Sequence, residues 1–344
     1  PYLADKASGK PRYWYTDGDK QYNGWVMHPD SREIGAIWVP GYGLIVPTRL
    51  MWGLMNAGII CQADVRRMME IDLDAYAREH IINIADDFSG FCDWLEPQAD
   101  GSRVCDWSGL ADSFISMLEM CDQNNMSLKA SKTFFGAREV EFYGYVLDRD
   151  GKRHADHHLA PIERMVPPTN ISELRRVLGL CVQHKDAIPN YSMITRPLHD
   201  LTRKSVKWQW RPDVEDRAFE MLRDACLENN ILAAPDFNKQ FFVDTDASDH
   251  GKGICIYQLR DPAKSHSLDN RLVIRYYSKA HTPQQQMRPP YYQEGDACIT
   301  GLEMVRFYSE ASPYPAKCFT DHAPLQWIKT SAKGAVNCWR IEKI

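Results

Sequence analysis

Aspartates stand at the ends of predicted strands in two separate parts of the chain. In the first part, Asp17 ends one strand, and Asp86 and Asp87 form the tip of a hairpin. An isolated Asp-Asp pair is usually a solvated turn, and its adjacent like charges repel unless a cation offsets them. Three aspartates from separate segments supply the oxygen ligands that Mg²⁺ prefers beside phosphate groups. We name Asp17, Asp86 and Asp87 the first carboxylate cluster and expect phosphoryl-transfer chemistry there.

In the second part, Asp246 and Asp321 each end a predicted strand, and the helix between them carries Glu294 and Asp296. Divalent cations held by such carboxylates activate water and stabilise the leaving oxygen when a phosphodiester is cut. Carboxylates dispersed along a chain do not by themselves indicate a metal site. The order of strands and helix around these residues nevertheless favours a shared site.

The pattern of apolar residues predicts the elements that carry the first carboxylate cluster. Strands are predicted at residues 13–17, 25–27, 34–39, 81–85, 88–91 and 141–147, and helices at residues 52–80 and 110–121. Residues 154–170 are rich in His and Pro, which is typical of a linker. A domain boundary is therefore expected near this segment.

Helices dominate the next part of the chain, at residues 172–180, 192–203 and 212–229. After Pro235 the predicted order is strand, strand, strand, helix, strand, helix, at residues 241–245, 253–259, 272–278, 294–308, 316–320 and from 323. This order resembles the opening of a ribonuclease H-like fold. The final strand and helix of such a fold are expected beyond Ile344.

The composition, with 44% hydrophobic and 25% charged residues, is that of an ordinary globular protein. The net charge of -5 argues weakly against a nucleic-acid partner. A basic groove can nevertheless coexist with acidic surfaces, and its candidates are Arg203, Lys204, Lys207 and Arg211. The ten cysteines include no Cys-x-x-Cys pair and are read as reduced thiols. Because no apolar run approaches bilayer length, a soluble, cytosolic-type protein without a membrane partner is expected.

Three segments resemble one known family. Gly53–Gln62 is similar to the Gly-Leu-x-Asn-Ala-Pro-x-x-Phe-Gln stretch of gypsy-type reverse transcriptases. Phe142–Val146 resembles the primer-grip hairpin of that family, and Pro168–Cys181 is very close to its thumb and connection. The chain is therefore identified as similar to the reverse transcriptase and ribonuclease H region of a metavirus-like LTR-retrotransposon Pol polyprotein.

The resemblance implies roles for residues around the first carboxylate cluster, which would hold the catalytic metals. Tyr22 stands where the family has an aromatic residue that blocks the ribose 2′-hydroxyl. Gln62 would line the nucleotide and template pocket, and Lys132 matches the Lys of the Leu-x-x-x-Lys element of the family.

For the second site, Asp246 and Asp321 match the Thr-Asp-Ala-Ser and Thr-Asp-His motifs of the family. The register counted from Asp321 places the helix carboxylate at Asp296. Glu294 lies two residues earlier and would point about 200° around the helix, so it is not expected to substitute. Asp246, Asp296 and Asp321 are therefore the predicted catalytic and metal-binding residues, with a fourth carboxylate expected beyond Ile344.

The implied fold combines α+β and α/β parts. It comprises a palm with truncated fingers at 1–150, a helical thumb and connection at 151–235, and a C-terminally truncated ribonuclease H-like domain at 236–344. The implied enzyme is an RNA-directed DNA polymerase with ribonuclease H activity, which copies retrotransposon RNA into DNA with Mg²⁺ or Mn²⁺.

The implied partners are an RNA template, a DNA primer, the RNA/DNA hybrid, deoxynucleoside triphosphates, and the protease and integrase of the same polyprotein. The implied location is a cytoplasmic virus-like particle, with the nucleus as the alternative.

Two departures from the family pattern keep another hypothesis open. Ile84 replaces the aromatic residue of Tyr-x-Asp-Asp, and Asp296 is one methylene shorter than the Glu of the family. The alternative is a catalytically impaired or co-opted remnant that acts as a nucleic-acid- or protein-binding scaffold. A cellular nuclease that uses only the second site is less favoured, because all three residues of the first cluster are retained.

Overall fold

The computed structural model describes residues 2–95, 103–228, 231–321 and 340–343. They form two compact units, Pro1–Arg149 and Asp150–Ile344. The division into three domains stays a prediction. Within the described residues, no helix is both long enough and apolar enough to cross a bilayer.

The first unit is a mixed α and β structure. Its elements in chain order are α1 (Tyr2–Ala7), β1 (Tyr13–Asp17), β2 (Ile37–Val39), β3 (Gly43–Ile45), α2 (Ala57–Asp72), α3 (Ala75–His80), β4 (Ile81–Ile84), β5 (Asp87–Phe91), α4 (Trp107–Gln123), β6 (Phe134–Ala137), β7 (Val140–Phe142) and β8 (Tyr145–Leu147).

The central sheet of this unit has the strand order β4-β5-β1-β6. Consecutive residues of a strand point to opposite faces, so Trp14 packs into one core with Phe88 and Leu110. Tyr13 packs into the core on the other face with Phe91. Because both faces are covered, the sheet is held firmly and its strand ends are fixed in space.

Gly90 is needed where β5 passes the Trp14 ring. A Cβ built on Gly90 would lie 2.1 Å from Cε2 of Trp14. Because Trp14 is fully buried and donates a hydrogen bond to Ser113 at 2.9 Å, it has little freedom to move.

We therefore expect Gly90→Ala to lower the free energy of unfolding by about 2 kcal/mol or more, as overpacking does. Urea titration followed by tryptophan fluorescence measures this change. The matched control is Gly24→Ala, because a Cβ there meets nothing within 4 Å. Equal stability of the two variants would contradict the tight packing of Trp14 on β5.

The second unit contains a helical layer and a larger sheet. Its elements are β9 (Gly151–His154), α5 (Asp156–Glu163), α6 (Ile171–Cys181), α7 (Tyr191–Asp200), α8 (Arg217–Leu227), β10 (Leu232–Ala233), β11 (Phe242–Ser248), β12 (Gly251–Leu259), β13 (Arg271–Ala280), α9 (Pro283–Gln286), α10 (Pro290–Glu310), β14 (Lys317–Thr320) and β15 (Arg340–Lys343).

Helices α5 to α8 share one apolar core, which includes Leu174, Leu198 and Leu222. Asn170 begins α6 by accepting a hydrogen bond from the Glu173 backbone N–H at 3.0 Å, as N-cap residues do. Trp208 and Trp210 also pack against this core.

The sheet of the second unit has the order β13-β12-β11-β14-β15. Strand β11 is antiparallel to β12 and parallel to β14, and β15 pairs in parallel with β14. The expectation that the final strand lies beyond Ile344 is therefore wrong, because Arg340–Lys343 forms it. The helix predicted from residue 323 lies outside the described residues.

Several local predictions differ from the structure. The predicted strand at 25–27 is only an isolated bridge at Val26, and the predicted helix at 52–80 is two helices, α2 and α3. Residues 141–147 form a hairpin rather than one strand, because Tyr143 and Gly144 both have positive φ (52° and 77°) and make a tight turn. The predicted strand at 34–39 begins only at Ile37, since Pro29–Gly35 is a 3-10 helix. The predicted linker at 154–170 contains the helix α5. Burial of Ile162 in the helical core stabilises this helix.

Candidate functional site

The first carboxylate cluster lies where β1 meets the β4–β5 hairpin. Asp17 is directly opposite Asp87 across the β1–β5 ladder, and Asp86 belongs to the turn of the hairpin. One carboxylate oxygen from each of the three aspartates lies within 4.8 Å of the other two. The structure thus brings together residues that are about seventy positions apart in the sequence.

Two lysines hold Asp17. Nζ of Lys129 and Nζ of Lys132 donate hydrogen bonds to Oδ2 of Asp17, at 2.8 and 2.7 Å. Burial alone would raise the pKa of Asp17, but the hydrogen bonds and charges of the two lysines outweigh it and bring the pKa below its usual value. Asp17 is therefore ionised. Lys132 reaches the cluster, and its predicted contact with substrate stays a prediction.

Asp87 has a different environment. The Tyr15 hydroxyl donates a hydrogen bond to Oδ1 of Asp87 at 2.5 Å. Burial raises the pKa of Asp87, the Tyr15 hydrogen bond opposes this, and the charges of Asp86 and Asp17 raise it further. The net rise in pKa comes first from burial and then from the like charges, and a divalent cation would relieve the repulsion between those charges.

The carboxylate of Asp86 accepts no hydrogen bond from the residues that the structure describes, although its backbone C=O accepts one from the Gly18 N–H at 2.7 Å. Its oxygens remain available. Three carboxylates, of which that of Asp86 has no hydrogen-bond partner among the described residues, fit a hard cation such as Mg²⁺ or Mn²⁺, which prefers oxygen ligands.

The turn that carries Asp86 is held by two amide side chains. Ala85 has φ 54°, a left-handed conformation that residues with a Cβ rarely adopt. Oε1 of Gln62 accepts a hydrogen bond from the Ala85 N–H at 2.6 Å, and Nε2 of Gln62 donates one to Oδ1 of Asn83 at 2.8 Å. The predicted contact of Gln62 with nucleotide stays a prediction, whereas its contact with this turn is observed.

Asn83 is a site residue that the sequence analysis missed. It is 6% exposed in a strand otherwise made of isoleucines, Ile81–Ile84. A buried amide is rare unless its hydrogen bonds are satisfied. A lone Asn inside an apolar strand next to an Asp-Asp pair was the available signal.

Tyr22 lies on the side of α2. Its ring contacts that of Trp52, with centroids 4.9 Å apart, and its hydroxyl lies 3.6 Å from where a Cβ on Gly58 would be.

A cavity of about 530 Å³ extends from Asp87 to the turn at Tyr143 and Gly144. The cluster therefore has a cavity between it and the β7–β8 hairpin.

Glu294 on α10 lies near enough to Asp321 after β14 and Asp246 on β11 to be affected by their charges, and we call these three residues the second cluster. Unlike those of the first cluster, their carboxylate oxygens do not all lie within 4.8 Å of one another. Oε1 of Glu294 accepts a hydrogen bond from the Ala247 N–H at 3.3 Å. Oε2 is buried and has no partner among the described residues. Burial, followed by the charges of Asp321 and Asp246, raises the pKa of Glu294 to about 7. An orphaned, buried carboxylate oxygen beside two aspartates fits a divalent cation.

Asp296 contacts Lys252 instead, so Glu294 is the helix carboxylate that lies near Asp246 and Asp321, and metal binding by Asp296 stays a prediction. Oδ2 of Asp296 accepts a hydrogen bond from Nζ of the buried Lys252 at 2.7 Å, and Lys252 also donates one to Thr300 at 2.6 Å. The face of α10 that contacts the sheet explains the difference. Its buried positions include Ala297, Cys298 and Gly301, and Glu294 lies one turn before them on the same face.

The four basic groove candidates are all exposed. Arg203 pairs with Asp200 at 2.7 Å, and Arg211 pairs with Glu215 at 2.7 Å. Their charges are therefore partly neutralised. Lys204 and Lys207 have no ion pair among the described residues.

Comparisons with known proteins bear on the family and the fold of the chain. Residues 210–314 match the family described as the RNase H-like domain found in reverse transcriptase. The Tf2-3 and Tf2-4 transposon polyproteins of Schizosaccharomyces pombe are each 29% identical over 209 residues, which are 61% of this chain and 15% of each polyprotein.

Two solved structures share the fold. One is the foamy viral protease-reverse transcriptase dRH in complex with dsDNA, with a TM-score of 0.79 and 17% identity, covering 100% of this chain and 58% of that chain. The other is the foamy viral protease-reverse transcriptase in complex with an RNA/DNA hybrid, with a TM-score of 0.76 and 17% identity, covering 100% of this chain and 45% of that chain.

The chain thus spans about 15% of the length of the curated relatives it matches. Residues 210–314 carry the RNase H-like domain found in reverse transcriptase, and the chain is similar to the reverse transcriptase and ribonuclease H region of retrotransposon Pol polyproteins.

Proposed function

We propose that this chain is an RNA-directed DNA polymerase with ribonuclease H activity, which copies retrotransposon RNA into DNA. The observation that carries the proposal is the convergence of Asp17, Asp86 and Asp87 within 4.8 Å at the edge of a well-packed sheet. Carboxylates held in this way are suited to bind Mg²⁺ or Mn²⁺ beside the phosphates of a nucleotide.

Bound divalent ions supply Lewis-acid stabilisation of the charge on the transferred phosphoryl group. The protein residues supply the positioning. Tyr15 orients Asp87, and Lys129 and Lys132 keep Asp17 ionised. Tyr22 would limit the space beside the ribose, and Lys132 would lie near the nucleotide.

For the ribonuclease H reaction, we propose Asp246, Glu294 and Asp321 as the residues that hold the metal ions. The open Oε2 atom of Glu294 supports this assignment. The proposed partners are an RNA template, a DNA primer, deoxynucleoside triphosphates and the RNA/DNA hybrid. The complexes of the foamy viral enzyme with dsDNA and with an RNA/DNA hybrid support the nucleic-acid partners. Location in a virus-like particle or the nucleus stays a prediction.

Two observations favour a second candidate, a binding scaffold without catalysis. Lys129 and Lys132 already neutralise Asp17, and Ile84 packs partly into the core in place of an aromatic residue. A protein of this kind could keep the fold without a metal.

The test is extension of a DNA primer on an RNA template with Mg²⁺ or Mn²⁺, beside cleavage of a labelled RNA/DNA hybrid. The double variant Asp86→Asn/Asp87→Asn reports any contaminating polymerase. We expect metal-dependent extension by the natural chain and none by the double variant. Hybrid binding without extension or cleavage would favour the scaffold, and equal extension by both proteins would reject the polymerase.

A further inference from the structure

The two-residue turn between β4 and β5 carries Asp86 of the first cluster, immediately before Asp87, and is conformationally strained. Ala85 has φ 54°, and Asp86 follows it directly. A left-handed residue with a Cβ persists only where its surroundings hold it in place. The position of Asp86 and Asp87 therefore depends on the groups that hold Ala85.

Two side chains hold this turn through three hydrogen bonds, and a fourth bond joins the two side chains. Oε1 of Gln62 accepts from the Ala85 N–H at 2.6 Å. Nδ2 of Asn83 donates to the Ala85 C=O at 3.1 Å and to the Asp87 C=O at 2.9 Å. The two amides are joined, because Nε2 of Gln62 donates to Oδ1 of Asn83 at 2.8 Å.

These bonds engage both polar atoms of the Gln62 side chain within the protein. Gln62 belongs to α2, and Asn83 belongs to β4, so the pair links the helix to the turn of the hairpin. Because the bonds to Ala85 and Asn83 fix the orientation of the Gln62 amide, only its second N–H and its second lone pair are left for any other partner.

We infer that Gln62 and Asn83 are a linked pair of positioning residues, which hold the Ala85 turn so that Asp86 and Asp87 face the metal ions. The inference rests on the proposed polymerase function. It assigns Gln62 an action through the turn and not on the nucleotide.

The test uses Gln62→Met and Asn83→Leu, which keep side-chain size but remove the amide, together with the double variant. The control is Gln123→Met, because Gln123 is an exposed glutamine at the end of α4. Steady-state primer extension gives kcat, the KM for nucleotide and the Mg²⁺ concentration for half-maximal rate. Mn²⁺ binding is followed by electron paramagnetic resonance in a Glu294→Gln background, which weakens the second cluster.

We expect each single variant to lower kcat about tenfold, to raise the Mg²⁺ requirement several-fold, and to leave the nucleotide KM within about twofold. The double variant should be no worse than either single variant, since both residues act on one turn. Gln62 is only half-buried, so Gln62→Met carries the test if Asn83→Leu does not fold.

A roughly tenfold higher nucleotide KM with unchanged kcat in Gln62→Met would overturn the inference in favour of direct contact. Additive losses in the double variant would also overturn it. Should the natural chain bind Mn²⁺ but fail to extend a primer, the polymerase proposal fails. In that case weaker Mn²⁺ binding by the variants supports the positioning role, and unchanged binding rejects it. If the natural chain neither extends a primer nor binds Mn²⁺, both proposals fall.

Discussion

Asp86→Asn is expected to lower the rate of primer extension about a thousandfold, which corresponds to roughly 4 kcal/mol of transition-state stabilisation. The change removes one negative charge from a site where carboxylates and cations must balance the charge of the transferred phosphoryl group. An amide oxygen is a far weaker ligand for a divalent ion than a carboxylate.

Asp86 is the most informative of the three aspartates to replace. Asp17 is bound by two lysines and Asp87 by Tyr15, so changes there also disturb the fold. The Asp86 carboxylate has no such partner among the described residues. The melting temperature of the Asp86→Asn variant should therefore stay within about 2 °C of that of the natural chain.

Single-nucleotide incorporation measures the rate, and scanning calorimetry measures the melting temperature. The control is Asp122→Asn, an exposed aspartate in α4, which should leave both unchanged. If Asp86→Asn keeps more than about a tenth of the rate, the first cluster does not act as a metal site.

The second large effect separates Glu294 from Asp296. We expect Glu294→Gln to lower cleavage of the RNA/DNA hybrid about a hundredfold or more, because it removes a charged ligand from the second cluster. Asp296→Asn should leave cleavage within about threefold and instead lower the free energy of unfolding by about 1–3 kcal/mol. The buried Lys252 would lose its charged partner.

The pH dependence of stability distinguishes the two variants further. The pKa of Glu294 is raised from 4.5 to about 7. A carboxyl group with a raised pKa stabilises the metal-free fold below its unfolded pKa, and this contribution is lost as the pH rises through the folded pKa. In Glu294→Gln this loss is absent, so the melting temperature of the variant relative to the natural chain should rise between about pH 5 and pH 8.

Cleavage of a labelled hybrid and thermal melting in EDTA make both measurements on the same preparations. Loss of cleavage in Asp296→Asn with full cleavage in Glu294→Gln would restore the assignment made from the sequence. Such a result would also mean that α10 presents a different face to the sheet.

The sequence by itself predicted the family, the two groups of carboxylates and most of the elements that carry them. It did so because short-range information is strong there. Alternating burial defines β1, where Tyr13 and Trp14 enter opposite cores. Apolar spacing likewise defines α4 and α6. Strand ends that carry Asp17 and Asp246 could be located without any knowledge of how the strands pair.

Tertiary structure decided the features that depend on which face of an element meets its neighbour. Counting residues from a motif placed the helix carboxylate at Asp296. The packing of α10 on the sheet turns Glu294 toward Asp246 and Asp321 and leaves Asp296 to Lys252. The sequence also could not predict the bonds of Gln62 and Asn83 to the Ala85 turn or the pairing of β15 with β14. Each joins segments far apart in the chain, and no local pattern of residues records which atoms will meet.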